Sequence, residues 1–239
     1  MDEKRELLGA TPLRIGISTR ALFNLEEEHS VFLRDGVRAY AELQLAREDA
    51  LIAKGTGFEV VERLLNLNEP GKKPYVEVVL LSRNSPDLSL RAFNSIENYG
   101  LAIKTGSFTS GRSLGPFIPA WDVDLFLSNE HTDVLAAISA GAAAAKLGVV
   151  PPERQEMGPD EVRIAFDGDA VLFSEESELV YKNNGLDAFI EHEKLNKDNP
   201  LEMGPFAKLL LTIAKIQAKF PTDKSPIRTA LVTARSTPT

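Results

Sequence analysis

Five short apolar runs, separated by stretches with helical spacing, dominate the pattern of this chain. They are Leu13–Ser18, Val76–Leu81, Val123–Leu127, Val162–Phe166 and Arg228–Val232. Each run is continuously apolar rather than alternating, which is typical of strands that are buried on both faces of a parallel sheet. Because strands and helices alternate, the pattern predicts an α/β fold with parallel, Rossmann-like sheets.

Three helices are predicted between these strands, over Asp87–Tyr99, Thr132–Leu147 and Pro205–Lys219. Thr132 is a suitable N-cap for the second helix, and Gly148 is a suitable residue to end it. A stretch rich in proline and polar residues, 148–161, separates the strands into two sets. We therefore expect two α/β units, over 1–150 and 160–239, called the first and second halves below.

The segment 174–226 within the second half is too long for an ordinary crossover between parallel strands, which needs about a dozen residues. We expect this segment to hold a helical cap. Such a cap would lie over a ligand site at the strand ends and exclude water from it.

The two halves resemble each other in sequence. The string from Arg14, RIGISTRALFNLEE, matches RIAFDGDAVLFSEE from Arg163 at a constant offset of 149 residues (163 − 14). A second match aligns VVLLSRNS, from Val78, with TALVTARS, from Thr229. Two matches at nearly equal spacing favour a duplication; the alternative is that any two α/β units share strand patterns.

The duplication aligns polar residues that follow the strands. Asp167 and Asp169 align with Ser18 and Arg20 of the first half, and Thr233 aligns with Ser82. The acidic pair therefore occurs only in the second copy.

Composition narrows the class of protein. The 239 residues carry a net charge of −8, which argues against a nucleic-acid partner, because no basic face could easily form. The chain has no cysteine, and neither an apolar leader nor a membrane-length apolar run is visible. We expect a soluble, cytoplasmic protein without a membrane or nucleic-acid partner.

The aspartate pair follows a strand directly, where ligands bind in open α/β sheets. Asp167 could act as a nucleophile toward phosphorus, and Asp169 could protonate the leaving oxygen and then activate water. Two neighbouring carboxylates call for a cation, and Mg²⁺ suits oxygen ligands. The Thr233 hydroxyl could bind the phosphoryl oxygens. The alternative is a plain Asp-Gly-Asp turn, which the apolar residues that follow it disfavour.

Longer strings resemble one family. A strand ending in Asp-x-Asp and a later strand ending in threonine look like the haloacid-dehalogenase-type phosphohydrolases. ISTRALFNLEEEH, AFDGDAVLFSEESE, EHEKLNKDNPLEMGPF and SPIRTALVTARS together resemble the cytosolic type-I 5′-nucleotidases. The resemblance implies Mg²⁺-dependent hydrolysis of nucleoside 5′-monophosphates such as AMP, dAMP, dCMP and IMP, and implies a homo-oligomer.

The resemblance also implies site residues. It places the nucleophile at Asp167, the acid/base at Asp169 and the phosphate-binding hydroxyl at Thr233, with Mg²⁺ at both aspartates. Arg235 is a further substrate-binding candidate. So are Arg20 and Asn84, which could reach the substrate phosphate across an interface between the halves; for Arg20 a surface ion pair is an equally good interpretation.

Two parts of the family pattern do not follow the threonine strand, namely a lysine and an acidic pair that completes the Mg²⁺ shell. We therefore expect that this chain is a fragment of the enzyme. The alternative is a catalytically incomplete protein that binds nucleotides or regulates.

Overall fold

The strands of the protein form two parallel sheets. The computed structural model describes residues 12–148, 161–167, 206–221 and 225–232. The strands are β1 Leu13–Ile17, β2 Val76–Ser82, β3 Thr105–Phe108, β4 Leu125–Ser128, β5 Ala143–Lys146, β6 Val162–Asp167 and β7 Ile227–Val232. The predicted α/β class with parallel sheets is confirmed.

Helices connect most of these strands. They are α1 Thr19–Leu22, α2 Glu26–Ala46, α3 Phe58–Leu65, a 3₁₀ turn Pro86–Leu88, α4 Ser89–Asn98, α5 Phe117–Ala120, α6 His131–Ser139 and α7 Ala207–Gln217. Helix α2 is interrupted at Gly36, whose φ of 84° and ψ of −176° lie outside the helical region. Only glycine adopts such a backbone readily, so the two parts of α2 meet at a kink.

The larger sheet has five strands in the order β3-β2-β1-β4-β5, all parallel. From β1 the chain builds outward on one side through β2 and β3, and then returns to the other side with β4 and β5. The direction of winding thus reverses between β1 and β4. In open α/β sheets this reversal opens a crevice at the carboxyl ends of the two strands, where ligands bind.

The central strand β1 is buried on both faces, as its apolar run requires. Leu13, Ile15 and Ile17 are at most 1% exposed. They belong to a core that includes Phe23 and Phe58, from the chain that follows β1 and from α3. This burial fixes the residues that follow β1 and thereby the position of the crevice.

The alanine-rich stretch near the end of the first half is not one helix. Helix α6 ends at Ser139, and Gly141, with a φ of 89°, turns the chain in the left-handed region. The predicted helix over Thr132–Leu147 is therefore wrong in its second part, which forms β5. Pairing of Ala143 with Leu125 and burial of Ala142, Ala143 and Ala144 outweigh the intrinsic helix preference of alanine.

The second sheet pairs β6 with β7, and α7 packs beside it. Leu209, Ile213 and Ile216 of α7 are at most 4% exposed and belong to the same hydrophobic core as β1. The predicted cap, 174–226, therefore includes a helix that packs in the core, while 174–205 and 222–224 lie outside the described residues. No helix of the described part is both long and apolar enough to cross a bilayer.

Helix α7 also contacts the amino-terminal edge of the larger sheet through charge. Lys208 Nζ lies 2.7 Å from an oxygen of Asp122 and 3.1 Å from one of Asp124. Asp124 is 5% exposed and also accepts the backbone N–H of Arg14 at 2.8 Å. These aspartates precede β4, so they lie at the edge opposite the crevice.

Candidate functional site

Strands β6 and β7 lie side by side and end together. Asp167, the last residue of β6, pairs with Val232, the last residue of β7. The backbone register thus brings Asp167 and Val232, the residue before Thr233 in the sequence, to the carboxyl edge of one parallel pair. The side chain of Asp167, and Asp169, Thr233 and Arg235 altogether, lie outside the described residues. Their roles stay predictions.

The pairing register of the two halves agrees with the sequence alignment. Ile15 pairs with Val78 in the first half, and Ile164 pairs with Thr229 in the second. Ile164 lies 149 residues after Ile15 (164 − 15), whereas Thr229 lies 151 after Val78 (229 − 78). The sequence alignment of the two halves has an offset of 149 residues at the first strand and of 151 at the second. Strand pairing gives the same two offsets. This agreement supports the predicted duplication.

The crevice of the larger sheet contains a cavity of about 410 Å³, which we call the first-half cleft. Its polar floor is formed by residues at or after the carboxyl ends of β1, β2 and β4, namely Ser18, Arg20, Ser82, Asn84, Glu130 and Asp133. Its wall is the aromatic side of α2, with His29, Phe32 and Tyr40. The described residues that line the cleft all belong to the first half.

Arg20 is held at the cleft by two carboxylates. Its guanidinium donates to Glu26 at 2.8 Å and also to Glu130, and the side chain is 18% exposed. The Asn129 amide donates to the Arg20 carbonyl at 3.1 Å and fixes the backbone. Arg20 is therefore a rigid, partly buried cation rather than a mobile surface arginine.

Serine hydroxyls connect the ends of β1 and β4. The Ser128 hydroxyl donates to Ser18 Oγ at 3.1 Å, and Ser18 Oγ also accepts the N–H of Ala21 at 3.3 Å. Ser128 Oγ in turn accepts the N–H of Glu130 at 3.1 Å. These bonds set the backbone that carries Arg20 and Glu130.

The end of β2 is shaped by a second set of bonds. Ser82 Oγ accepts the N–H of Asn84 at 3.1 Å, and the Asn84 carbonyl accepts the N–H of Ser110 at 3.1 Å. The loop Phe108–Ser113 thus holds the chain after β2 in place. Because the N–H groups of Ser110 and Gly111 are used in this way, they are not directed at a ligand.

Asp133, on α6, is a cleft residue that the sequence did not identify. Arg83 lies 3.5 Å from it, and Arg83 also donates to the Gly111 carbonyl at 3.2 Å. Burial raises the pKa of the Asp133 carboxyl above its ordinary value, and the charge of Arg83 opposes the rise. The sequence feature that could have identified Asp133 is the occurrence of two acidic residues, Glu130 and Asp133, soon after an apolar strand.

A larger cavity of about 810 Å³ adjoins Arg20 on its other side. Lys54 Nζ lies 4.2 Å from the centre of the Phe58 ring there, and Thr56 donates to the Asn129 side-chain oxygen at 3.1 Å. Arg20 therefore stands on the wall between two cavities.

The structure brings Arg20 and Asn84 to one cleft, as the alignment of strand ends implies. It does not describe a contact of either with the aspartate pair, so the predicted substrate contact across the halves stays a prediction. Within the described ranges, no group of three His, Asp or Glu side chains is arranged to hold a metal ion.

Comparison with known proteins identifies the family of the chain. The family model described as 5′-nucleotidase matches residues 7–239. A curated relative from Homo sapiens, cytosolic 5′-nucleotidase 1B, is 32% identical over 234 residues, which cover 94% of this chain and 38% of the relative. The chain thus spans well under half the length of that relative. No solved structure shows significant similarity to the chain. The chain belongs to the 5′-nucleotidase family.

Proposed function

We propose that this protein hydrolyses nucleoside 5′-monophosphates to nucleoside and phosphate, with Asp167 as the nucleophile. The observation that carries the proposal is the register of β6 and β7. It places the end of the Asp167 strand beside the end of the strand that Thr233 follows, in a member of the 5′-nucleotidase family.

The proposed reaction has two displacements at phosphorus. The Asp167 carboxylate attacks the phosphorus atom, the ester P–O bond breaks, and Asp169 donates a proton to the departing nucleoside oxygen. Asp169 then accepts a proton from a water molecule, which attacks the phosphorus atom and breaks the acyl-phosphate bond. Over the two displacements one water molecule is consumed, and the Asp167 carboxylate is regenerated.

Thr233 and Arg235 supply polar groups to the phosphate in this proposal. A hydroxyl and a guanidinium both donate hydrogen bonds to phosphoryl oxygens, where negative charge is held during transfer. Asn84 and Arg20 line the first-half cleft, and we propose that they bind the phosphate of a ligand there rather than the phosphate at Asp167.

The donor chemistry of the aspartate pair suits Mg²⁺, because the Asp167 carboxylate and the Asp169 carbonyl are both oxygen ligands. Bound Mg²⁺ would offset the negative charge of the phosphate and the nucleophile. We therefore propose a Mg²⁺-dependent enzyme.

The organisation of the chain belongs to the same proposal. We assign 1–150 to a degenerate α/β unit and 160–239 to the catalytic unit, with the cap within 174–226. Because the human relative is named a cytosolic enzyme, we place this protein in the cytoplasm. A homo-oligomer remains a proposal from the family resemblance.

Phosphate release tests the function. We expect the chain to release phosphate from AMP, dAMP, dCMP and IMP when Mg²⁺ is present, and Asp167→Asn to lose this activity. The matched control is Asp35→Asn, since Asp35 lies on α2 in an ion pair with Arg34. Equal release by wild type and Asp167→Asn would contradict the nucleophile. Nucleotide binding without release would favour the alternative of a catalytically incomplete protein.

A further inference from the structure

We propose that the first-half cleft is a second binding site, which takes a phosphate ester carrying an aromatic base and does so without a metal ion. The site is distinct from the hydrolytic one, although its comparison with the second half rests on the proposed function. In this proposal the guanidinium of Arg20 takes the place that Mg²⁺ has in the hydrolytic site.

The position of the cleft favours an anion. It lies where the winding of the sheet reverses, at the carboxyl ends of β1, β2 and β4. Helix α6, of nine residues, begins at His131 shortly after β4, with Glu130 as its N-cap residue, so its positive dipole end faces this edge. A phosphate at this position is the usual use of such an edge in α/β proteins.

The aligned residues retain binding groups and lack the nucleophile. Ser82 is the equivalent of Thr233 and keeps a hydroxyl, whereas Ser18 replaces the Asp167 carboxylate. The partners of Ser18 Oγ are a serine hydroxyl and a backbone N–H, neither of which is a base that could activate it. The cleft is therefore suited to binding a phosphate ester without cleaving it.

Arg20 replaces Asp169 and brings a fixed positive charge. Two carboxylates, Glu26 and Glu130, hold its guanidinium, much as acidic ligands hold a metal ion. Its Nε is buried and has no hydrogen-bond partner within the described part of the chain. Nε is the nitrogen of the guanidinium that the two carboxylates do not use, and it can donate to a phosphate oxygen without Mg²⁺.

Two hydroxyls of the cleft also have no partner. Thr19 is 1% exposed, and neither its Oγ1 nor Ser85 Oγ makes a hydrogen bond with the described residues. Both residues line the cleft. Burial of a hydroxyl without a partner costs free energy, and a phosphate oxygen would supply the missing acceptor.

The wall of the cleft suits a planar base. The rings of His29 and Phe32 are stacked, with centroids 6.2 Å apart, and Phe32 is 41% exposed. Tyr40 meets Phe32 edge to face at 6.1 Å. An aromatic surface beside a phosphate-sized polar floor, in a cavity of about 410 Å³, fits a nucleotide better than phosphate alone.

Calorimetric titration of the full chain with AMP and with inorganic phosphate, both in EDTA, tests this site. EDTA removes the Mg²⁺ on which the proposed hydrolysis depends, so AMP is not consumed during the titration, and variants then assign the binding to one of the two sites. We expect AMP to bind in EDTA, and to bind more tightly than inorganic phosphate. No binding of AMP in EDTA would overturn the proposal, and equal affinities would overturn the assignment of a base to the aromatic wall.

A double variant tests how much the hydroxyls of Thr19 and Ser85 contribute to AMP binding. Thr19→Val with Ser85→Ala should weaken AMP binding by about tenfold or more, because each lost bond is to a charged group. The folded state should not lose stability to urea, since neither hydroxyl has a hydrogen-bond partner among the described residues. Thr212→Val with Ser225→Ala is the matched control, because these hydroxyls bond to backbone carbonyls outside the cleft.

Failure of this proposal is separable from failure of the proposed function. AMP binding in EDTA that survives Asp167→Asn but weakens in the double variant supports the first-half cleft, whether or not the chain hydrolyses AMP. Binding that is lost in Asp167→Asn and kept in the double variant would place AMP at the hydrolytic site and overturn the proposal.

Discussion

A buried ion pair fixes the helix that forms the aromatic wall of the cleft. Glu28 on α2 and Arg91 on α4 are 2.7 Å apart, and both side chains are 5% exposed. Arg91 also donates to the Ala50 carbonyl at 2.9 Å and to Gln44 at 3.1 Å. One polar cluster therefore ties α2 to α4 beneath the cleft.

Removal of one charge from this pair should be costly. We expect Glu28→Gln to lower the free energy of unfolding by about 3 kcal/mol, because Arg91 would remain buried without its counter-ion. Urea unfolding measures the change. The control is Glu42→Gln, in an exposed pair with Arg38 on the same helix, for which we expect about 1 kcal/mol or less. Equal losses in the two variants would contradict a special role for the buried pair.

Asp133 should titrate above its ordinary pKa. Burial raises the pKa of this carboxyl from 3.8, against the charge of Arg83, whereas a hydrogen bond from Arg34 lowers the pKa of Asp35. An NMR titration of side-chain carboxyl carbons should give midpoints on opposite sides of 3.8. A midpoint for Asp133 at or below that of Asp35 would contradict the described environment.

The raised pKa of Asp133 sets the sign of the change in folding stability with pH. Because folding raises the pKa of Asp133, this group favours the folded state below pH 3.8, and the contribution is lost as pH rises through the folded pKa. Replacement by asparagine removes this dependence. Asp133→Asn should therefore gain stability relative to wild type as pH rises from about 4 toward neutrality.

At the scale of elements, α7 is docked on the larger sheet by apolar contacts and by one charged residue. Lys208→Met should increase hydrogen exchange in α7 and lower the free energy of unfolding by up to about 1 kcal/mol, since Lys208 is half exposed but Asp124 is buried. Lys215→Met, on an exposed position of the same helix, is the control. Unchanged exchange in Lys208→Met would show that the apolar contacts alone hold the helix.

The elements that were predicted well from the sequence are those whose residue pattern is compatible with only one structural environment. Continuous apolar runs such as that around Ile15 can be buried only inside a parallel sheet, and their strands were predicted to within about two residues. The stretch Ala143–Lys146 was predicted as helix, because nothing in a run of alanines reveals that it pairs with β4. Helix α2 was not predicted, since its apolar positions, among them the exposed Leu33, do not form one stripe.

At the scale of the whole molecule, the candidate site was predictable where the chain repeats itself. The alignment of the halves identified Arg20 and Ser82 as residues that follow β1 and β2, and the structure places both in one cleft. The alignment of the halves could not identify Asp133 or Ser85, because the positions of these residues depend on where α6 and the 3₁₀ turn begin. Such starting points are set by packing rather than by local sequence.

We propose that the two halves carry two versions of one phosphate site. Residues after equivalent strands, with the same pairing register, carry an aspartate pair in the second half and a serine and an arginine in the first. We infer that the second half performs the chemistry and that the first binds a related ligand unchanged. The nucleophilic role of Asp167 is the claim on which this division depends.

The most direct test is to trap the phosphorylated enzyme. The chain is mixed with AMP and Mg²⁺, quenched in acid within one turnover and digested, and its peptides are weighed by mass spectrometry. We predict one added phosphoryl group on the peptide that contains Asp167, and none on the same peptide of Asp167→Asn, which lacks the nucleophilic carboxylate. Release of phosphate without a phosphorylated peptide, or a phosphoryl group on another residue, would contradict the account.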